Sequence, residues 1–215
     1  MSSDRVEAPS RFARRGFLVV VSGPSGVGKT SFCTHLLETR RDAIRSVSAT
    51  TRAPRPGEVD GRDYVYLDAA GFTARAAAGE FLEHAEVHGH RYGTPRRFVD
   101  EQVAAGRIVL LNIDVQGGIQ VKERYADSVA IFVWPPSLDA LKVRLMARAQ
   151  DDPAEIARRL ADAPGELAQY GRYDYIVVNE DLPAALSRVS AIVEAERARV
   201  SRLVPADSLT HTEER

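Results

Sequence analysis

The chain has 215 residues, 44% of them apolar and 27% charged, which suits one globular domain, or one with an insertion, able to bury a core without staples. Its 29 basic and 30 acidic side chains leave a net charge of −1, which removes the case for a general nucleic-acid or anionic-membrane binder. The single cysteine, Cys33, excludes a disulfide framework and a multi-cysteine zinc site, and no apolar run approaches the ~18 residues of a membrane helix.

In chain order, residues 1–15 come first. They carry Arg5, Arg11, Arg14 and Arg15, with Asp4 and Glu7 among them and no apolar core. That predicts a flexible tail rather than a targeting segment and, with the lone cysteine, a cytoplasmic protein. Residues 17–21 open a set of four continuous apolar, β-branched runs, the others being 108–113, 129–133 and 175–178. Continuity means burial on both faces, hence strands of a parallel sheet. Helical stretches follow them at 29–40, 115–124, 138–148 and 182–200. This alternation predicts an α/β fold, a parallel sheet flanked by helices. Residues 45–49 make a weaker, fifth strand candidate.

Two segments break the rhythm. From about 50 to 91 the chain passes Pro54, Pro56 and Gly57 and then shows short alternating pieces at 64–67 and 81–88. That predicts a small β-rich insertion. Residues 149–165 form a polar helical segment that interrupts the core, read as mobile. A domain over 16–203 with a flexible tail over 204–215 completes the organisation.

Between the first strand and the first helix stand Gly23, Pro24, Ser25, Gly26, Val27, Gly28, Lys29 and Thr30, a match to G-x-x-x-x-G-K-[ST] at every position and in the strand-to-helix context the motif needs. Glycines let backbone N–H groups approach phosphates, and the helix N-terminus adds positive potential. Lys29 is placed to reach the β- and γ-phosphates, and the Thr30 hydroxyl to ligate Mg²⁺. Cys33, one turn on, reads as a small buried apolar residue.

A nucleotide-binding loop does not define a reaction. The insertion narrows it. Arg52 and Arg55 lie in a proline-stiffened loop, so two guanidinium groups can meet one phosphate with little ordering entropy. The stretch from Ser48 to Tyr64 reads S-x-T-T-R-x-P-R-x-G-E-x-x-G-x-x-Y. This resembles the signature of the guanylate kinases, and the likeness extends over about residues 16–200. The resemblance implies a P-loop NTPase core of the adenylate-kinase type, a GMP-binding insertion and a lid. It implies MgATP and GMP as substrates, and neither nucleic acid nor membrane as partner.

By position, the resemblance puts Arg52, Arg55, Tyr64 and Tyr92 on the GMP phosphate, and Ser48, Glu83 and Thr94 on the guanine. Glu58 and Asp114 belong to the same pocket wall, and Asn179 lies near the ATP adenine. Lys29, Arg52, Arg148 and Arg159 carry the charges over the transferring phosphoryl group, with Arg144 helping. Arg144 and Arg148 are four apart and share a helix face. Glu83 has its own logic. Guanine presents N1–H and N2–H₂ side by side, and one ionised carboxylate accepts both, whereas adenine offers a lone pair at N1. Without the family match, Glu83 would read as an exposed strand residue.

Two other readings stay open at this level. One is a guanylate-kinase-like interaction module, which typically has a damaged phosphate loop. The other is a P-loop kinase acting on a different phosphorylated acceptor. The chain also departs from the family pattern. Asn112 stands where the family usually carries an acid, with consequences for Mg²⁺, and Ala149 where it often has glycine.

Overall fold

The structure is a computed structural model, and it describes residues 12–87, 89–147 and 153–205. In chain order the strands are β1 (Phe12–Arg14), β2 (Phe17–Ser22), β3 (Ala43–Arg45), β4 (Ala49–Thr50), β5 (Val65–Tyr66), β6 (Phe81–Val87), β7 (His90–Pro95), β8 (Ile108–Asn112), β9 (Val129–Trp134), β10 (Tyr175–Val178) and β11 (Leu203–Pro205). The helices are α1 (Lys29–Thr39), α2 (Ala69–Ala77), α3 (Arg96–Ala104), α4 (Val115–Arg124), α5 (Leu138–Met146), α6 (Pro153–Leu167) and α7 (Leu182–Arg197).

Five strands form a parallel sheet in the order β10-β9-β2-β8-β3. Three of the four apolar runs, β2, β8 and β9, are buried as their continuity requires, whereas the fourth, β10, is an edge strand that buries Val177 and leaves Ile176 and Val178 exposed. One face packs Val19, Val21, Ile131 and Val133 against Phe32 and Leu36 of α1, Leu141 of α5 and Val189 of α7. The other packs Leu18, Val20, Val109 and Leu111 against Val99 of α3 and Val121 of α4. The chain therefore leaves β2 towards one face and β8 towards the other. A crevice opens where two neighbouring strands part in this way, at their C-terminal ends.

The insertion is a four-stranded sheet, β5-β4-β7-β6, with α2 on it. Its small core stacks Phe72 on Phe81 at 4.7 Å between ring centroids. It is anchored to α4, where Arg124 donates to the Leu82 carbonyl (3.0 Å) and Gln120 to the His84 carbonyl (2.9 Å).

Several expectations change. The fifth strand is Ala43–Arg45, while residues 49–50 belong to the insertion, whose sheet runs on to Pro95. Residues 12–14 are not tail: β1 pairs antiparallel with β11, so Val204 and Pro205 are paired as well. The last helix stops at Arg197. Residues 1–11, 148–152 and 206–215 lie outside the described residues, and with them Arg148, Ala149 and most of both predicted tails.

Candidate active site

The phosphate loop joins β2 to α1 at that crevice. Gly23 has φ +140°, and a Cβ there would lie 2.4 Å from the Val133 carbonyl oxygen. Gly28 has φ +104° and caps α1, and a Cβ there would meet Asn179 Nδ2 at 2.8 Å. Both places admit only glycine. Lys29 Nζ donates to the carbonyls of Gly23 (2.6 Å) and Pro24 (3.0 Å), lying over the loop. In-register pairing sets Asn112, the last residue of β8, beside Val21, and its Nδ2 donates to Thr30 Oγ1 at 3.2 Å.

Two residues that the resemblance puts on the ATP side bond to carbonyls at the loop. Asn179 Nδ2 donates to the Val27 carbonyl at 2.8 Å, and Arg144 donates to the Val27 and Asn179 carbonyls at 3.3 and 3.0 Å. Asn179 and Arg144 thus both hold the loop through its Val27 carbonyl. Gly23, Pro24 and Val27 likewise shape the loop, while Ser25, Gly26, Gly28, Lys29 and Thr30 border the cavity.

Across the cavity lie Arg52, Arg55, Tyr64 and Tyr92, together as the sequence predicted, with Ser48 beside them. Glu58 braces this group from behind. Both its carboxylate oxygens accept from Arg52 Nη2 (2.8 and 2.9 Å), and one also accepts from the Arg55 N–H (2.7 Å) and the Tyr66 hydroxyl (2.7 Å). Burial alone would raise its pKa, but these donors outweigh it and hold the carboxyl down at about 2. The Arg52 guanidinium also sits over the Tyr64 ring, 5.4 Å from its centroid. Glu58 therefore aims a guanidinium and does not face the cavity itself.

Glu83 is only 2% exposed, unlike the exposed strand residue it would be without the family match. A register irregularity between Phe81 and Glu83 breaks the in–out alternation of β6 and turns three successive side chains inward. Thr94, opposite on β7, donates its hydroxyl to Glu83 Oε1 at 2.6 Å. Glu83 Oε2 lies against Gly117 in the first turn of α4, where a Cβ would be 2.7 Å away. Burial pushes the Glu83 carboxyl up to about 7; the Thr94 hydroxyl opposes this and the nearby Asp114 adds to it. Glu83 faces the cavity, and Thr94 supports it from behind.

Asp114 caps α4, its Oδ1 accepting from the N–H groups of Gln116 (2.8 Å) and Gly117 (3.0 Å), and it borders the cavity. Helix α6 closes the remaining side. Its Arg159 is ion-paired with Glu155 one turn earlier, and Arg159 Nη1 donates to Ser25 Oγ at 3.1 Å. Glu166, also bordering the cavity, has no motif to mark it and was missed by sequence reasoning, as were Val87 and Ile113. The one available signal is its spacing of seven residues, two helical turns, from Arg159.

One cavity thus joins a phosphate loop, a braced arginine pair and a buried carboxylate. Among the described residues no helix is long and apolar enough to cross a membrane. The guanylate kinase family model matches residues 15–196. A guanylate kinase of Symbiobacterium thermophilum is 49% identical over 188 residues, covering 87% of this chain and 89% of its own. One from Bordetella pertussis is 47% identical over 201 residues, with 94% and 91% covered. The crystal structure of a guanylate kinase from Anaplasma phagocytophilum superposes with a TM-score of 0.76 at 36% identity, over 93% of this chain and 96% of that one. The chain belongs to the guanylate kinase family.

Proposed function

We propose that this protein transfers the γ-phosphoryl group of MgATP to GMP, giving ADP and GDP, and so feeds the formation of GTP. The observation that carries this reading is the cavity just described. The phosphate loop, Arg52 and Arg55, and the buried Glu83 all line it.

The acceptor oxygen of GMP is anionic near neutral pH, so the reaction needs no strong general base. Catalysis then rests on positioning and charge neutralisation. Arg52, held by Glu58, and Arg55 fix the acceptor phosphate. Tyr64 and Tyr92, edge to face with centroids 6.0 Å apart, flank it. Lys29 and Arg159 neutralise charge on the transferring group, with Arg148 as the family's further candidate. Ser48, Glu83 and Thr94 select guanine.

The residues present fit a phosphate-held Mg²⁺. Thr30 offers a hydroxyl oxygen at the cavity edge, and the described residues contain no group of three or more His, Cys, Asp or Glu spaced for a metal. That combination suits a hard cation carried mainly by phosphate oxygens and water. Bound there, Mg²⁺ would supply neutralisation of the phosphate charge. A reducing, cytoplasmic setting is part of the same reading: Cys33 is buried, and burial pushes its thiol up to about 12, so it is an inert packing residue.

ADP release, coupled to an indicator reaction and measured with GMP, dGMP, AMP, IMP, CMP and UMP, tests the proposal. Turnover confined to guanine nucleotides is expected. Equal rates with AMP would point to another P-loop kinase, and no turnover in a protein that binds GMP to an interaction module.

A further inference from the structure

The first turn of α4 is closely packed on two sides, and successive glycines make the room. On one side Glu83 Oε2 lies against Gly117, where a Cβ would be 2.7 Å away. On the other the Tyr173 hydroxyl lies against Gly118, where a Cβ would be 2.4 Å away. That hydroxyl donates to Ser22 Oγ at 2.9 Å and, at 3.2 Å, towards the Val115 carbonyl. Ser22 Oγ in turn donates to the Asp114 carbonyl at 2.9 Å. Ser22 is fully buried and directly precedes Gly23, the first glycine of the phosphate loop. Burial pushes the Tyr173 hydroxyl up to about 12, so it keeps its proton and remains a donor.

Helix α4 also carries the strand on which Glu83 stands. Gln120 donates to the His84 carbonyl (2.9 Å) and Arg124 to the Leu82 carbonyl (3.0 Å), the residues on either side of Glu83. A continuous set of contacts therefore runs from the end of β2 through Ser22, Tyr173 and the first turn of α4 to the Glu83 carboxylate. The Tyr173 ring is seated apart from its hydroxyl. It packs edge to face on Phe132, with centroids 4.9 Å apart, at the border of the core that holds Val20 and Val121. Phenylalanine would serve that packing equally well, so the hydroxyl has a separate part to play.

Building on the reading of Glu83 as the group that selects guanine, we propose that Tyr173 is a positioning residue for the acceptor base. Its hydroxyl pins the first turn of α4 to Ser22 and so sets where that helix holds Glu83 relative to the phosphate loop. Tyr173 touches neither substrate in this scheme and acts through α4.

Tyr173→Phe keeps the ring on Phe132 and removes only the hydroxyl. KM for GMP should rise about fivefold, the size of one lost hydrogen bond, while KM for ATP stays within about twofold. Ser22→Ala breaks the same link from its other end. The double variant should bind GMP no more weakly than either single one, because both interrupt one chain of contacts. A tyrosine that served stability alone would lower Tm and move both constants together or neither. A folded Tyr173→Phe protein whose KM for GMP lies within about twofold of wild type, or whose two KM values rise together, overturns the inference, as do losses that add in the double variant. Should Tyr173→Phe fail to fold, Ser22→Ala carries the same expectation. If the wild-type protein neither binds nor phosphorylates GMP, the reading of the Glu83 site fails and this inference with it; if it does both and the variants are unmoved, only the role of Tyr173 fails.

Discussion

At the scale of single residues, Glu83 shows a conflict between stability and use. A guanine edge with two donors needs an ionised carboxylate, yet burial holds this one at about 7. GMP binding should therefore release a proton, and its affinity should fall about tenfold per pH unit below 7. Calorimetry in buffers of different ionisation enthalpy measures the proton directly. Because the folded pKa lies above the ordinary 4.5, the native state binds the proton more tightly, and Glu83 loses stability for the fold as pH rises from 4.5 to 7. Glu83→Gln removes that cost. The variant should gain on the order of 2–3 kcal/mol relative to wild type at pH 8 by denaturant melts, and little at pH 4. It should also lose GMP affinity by about 2–3 kcal/mol, because an amide cannot accept two donors. A KM for GMP within about threefold of wild type would remove Glu83 from the base site. Lys29→Ala should fold normally and lose turnover by about a hundredfold or more, through lost charge stabilisation in the transition state; near-normal kcat would refute this. At Asn112 the amide N–H occupies a lone pair of Thr30 Oγ1, the oxygen offered to the cation. An aspartate can only accept, so Asn112→Asp would turn the Thr30 proton towards itself and leave that lone pair for the metal. The free Mg²⁺ giving half-maximal rate should drop about tenfold; superimposable titrations would show that position 112 does not tune the metal.

At the scale of elements, the first turn of α4 decides how far the insertion can approach the core. Gly117 lets the Glu83 carboxylate lie directly on the helix, and a methyl group there would sit 2.7 Å from Oε2. Gly117→Ala gains about 1 kcal/mol of helix propensity while forcing the carboxylate aside. Stability should change little and KM for GMP should rise severalfold, with KM for ATP unmoved; parallel changes in both constants would mean that the helix, not the carboxylate, had shifted. The same elements show what could be read beforehand. Four strands of the main sheet and the phosphate loop declare themselves because β-branched runs and paired glycines have local causes, whereas the short edge strand β3 falls at Ala43–Arg45 and not at 45–49. Helices α2 and α3 do not declare themselves, since each fully buries only one apolar side chain, Phe72 and Val99. The burial of Glu83 depends on a register irregularity that no local pattern encodes. Asn179 and Arg144 both donate to the Val27 carbonyl of the loop, contacts that their residue types do not announce. Glu166 has neither motif nor neighbouring signal, and only the folded helix brings it to the cavity. The pairing of β1 with β11 joins residues about 190 apart, which composition near either end cannot anticipate.

At the scale of the molecule, the cavity lies between three bodies: the sheet with its loop, the insertion, and α6. Its binding groups come from all three, so two ligands held at once should draw insertion and α6 towards the core and exclude water, which otherwise would take the phosphoryl group. Solution scattering with GMP and a non-hydrolysable ATP analogue together should give a smaller radius of gyration than either alone, and no compaction would count against closure. The opposite end of the sheet is built differently. There β1 and β11 pair with Phe12 across from Pro205, and Arg15 N–H donates to the Arg202 carbonyl at 2.8 Å. Beneath them the buried Arg202 guanidinium lies 4.1 Å from the Phe17 ring centroid and pairs with Asp127 and Glu196. Because the chain enters β1 and leaves β11 at the same end of the ladder, tension applied through both ends peels the pairs apart one by one instead of shearing them together. The clip yields first and the Arg202 anchor next. Both lie by the N-terminal ends of the strands, whereas the phosphate loop rides on their C-terminal ends. Mechanical load carried through the ends of the chain is thus spent before it reaches the nucleotide.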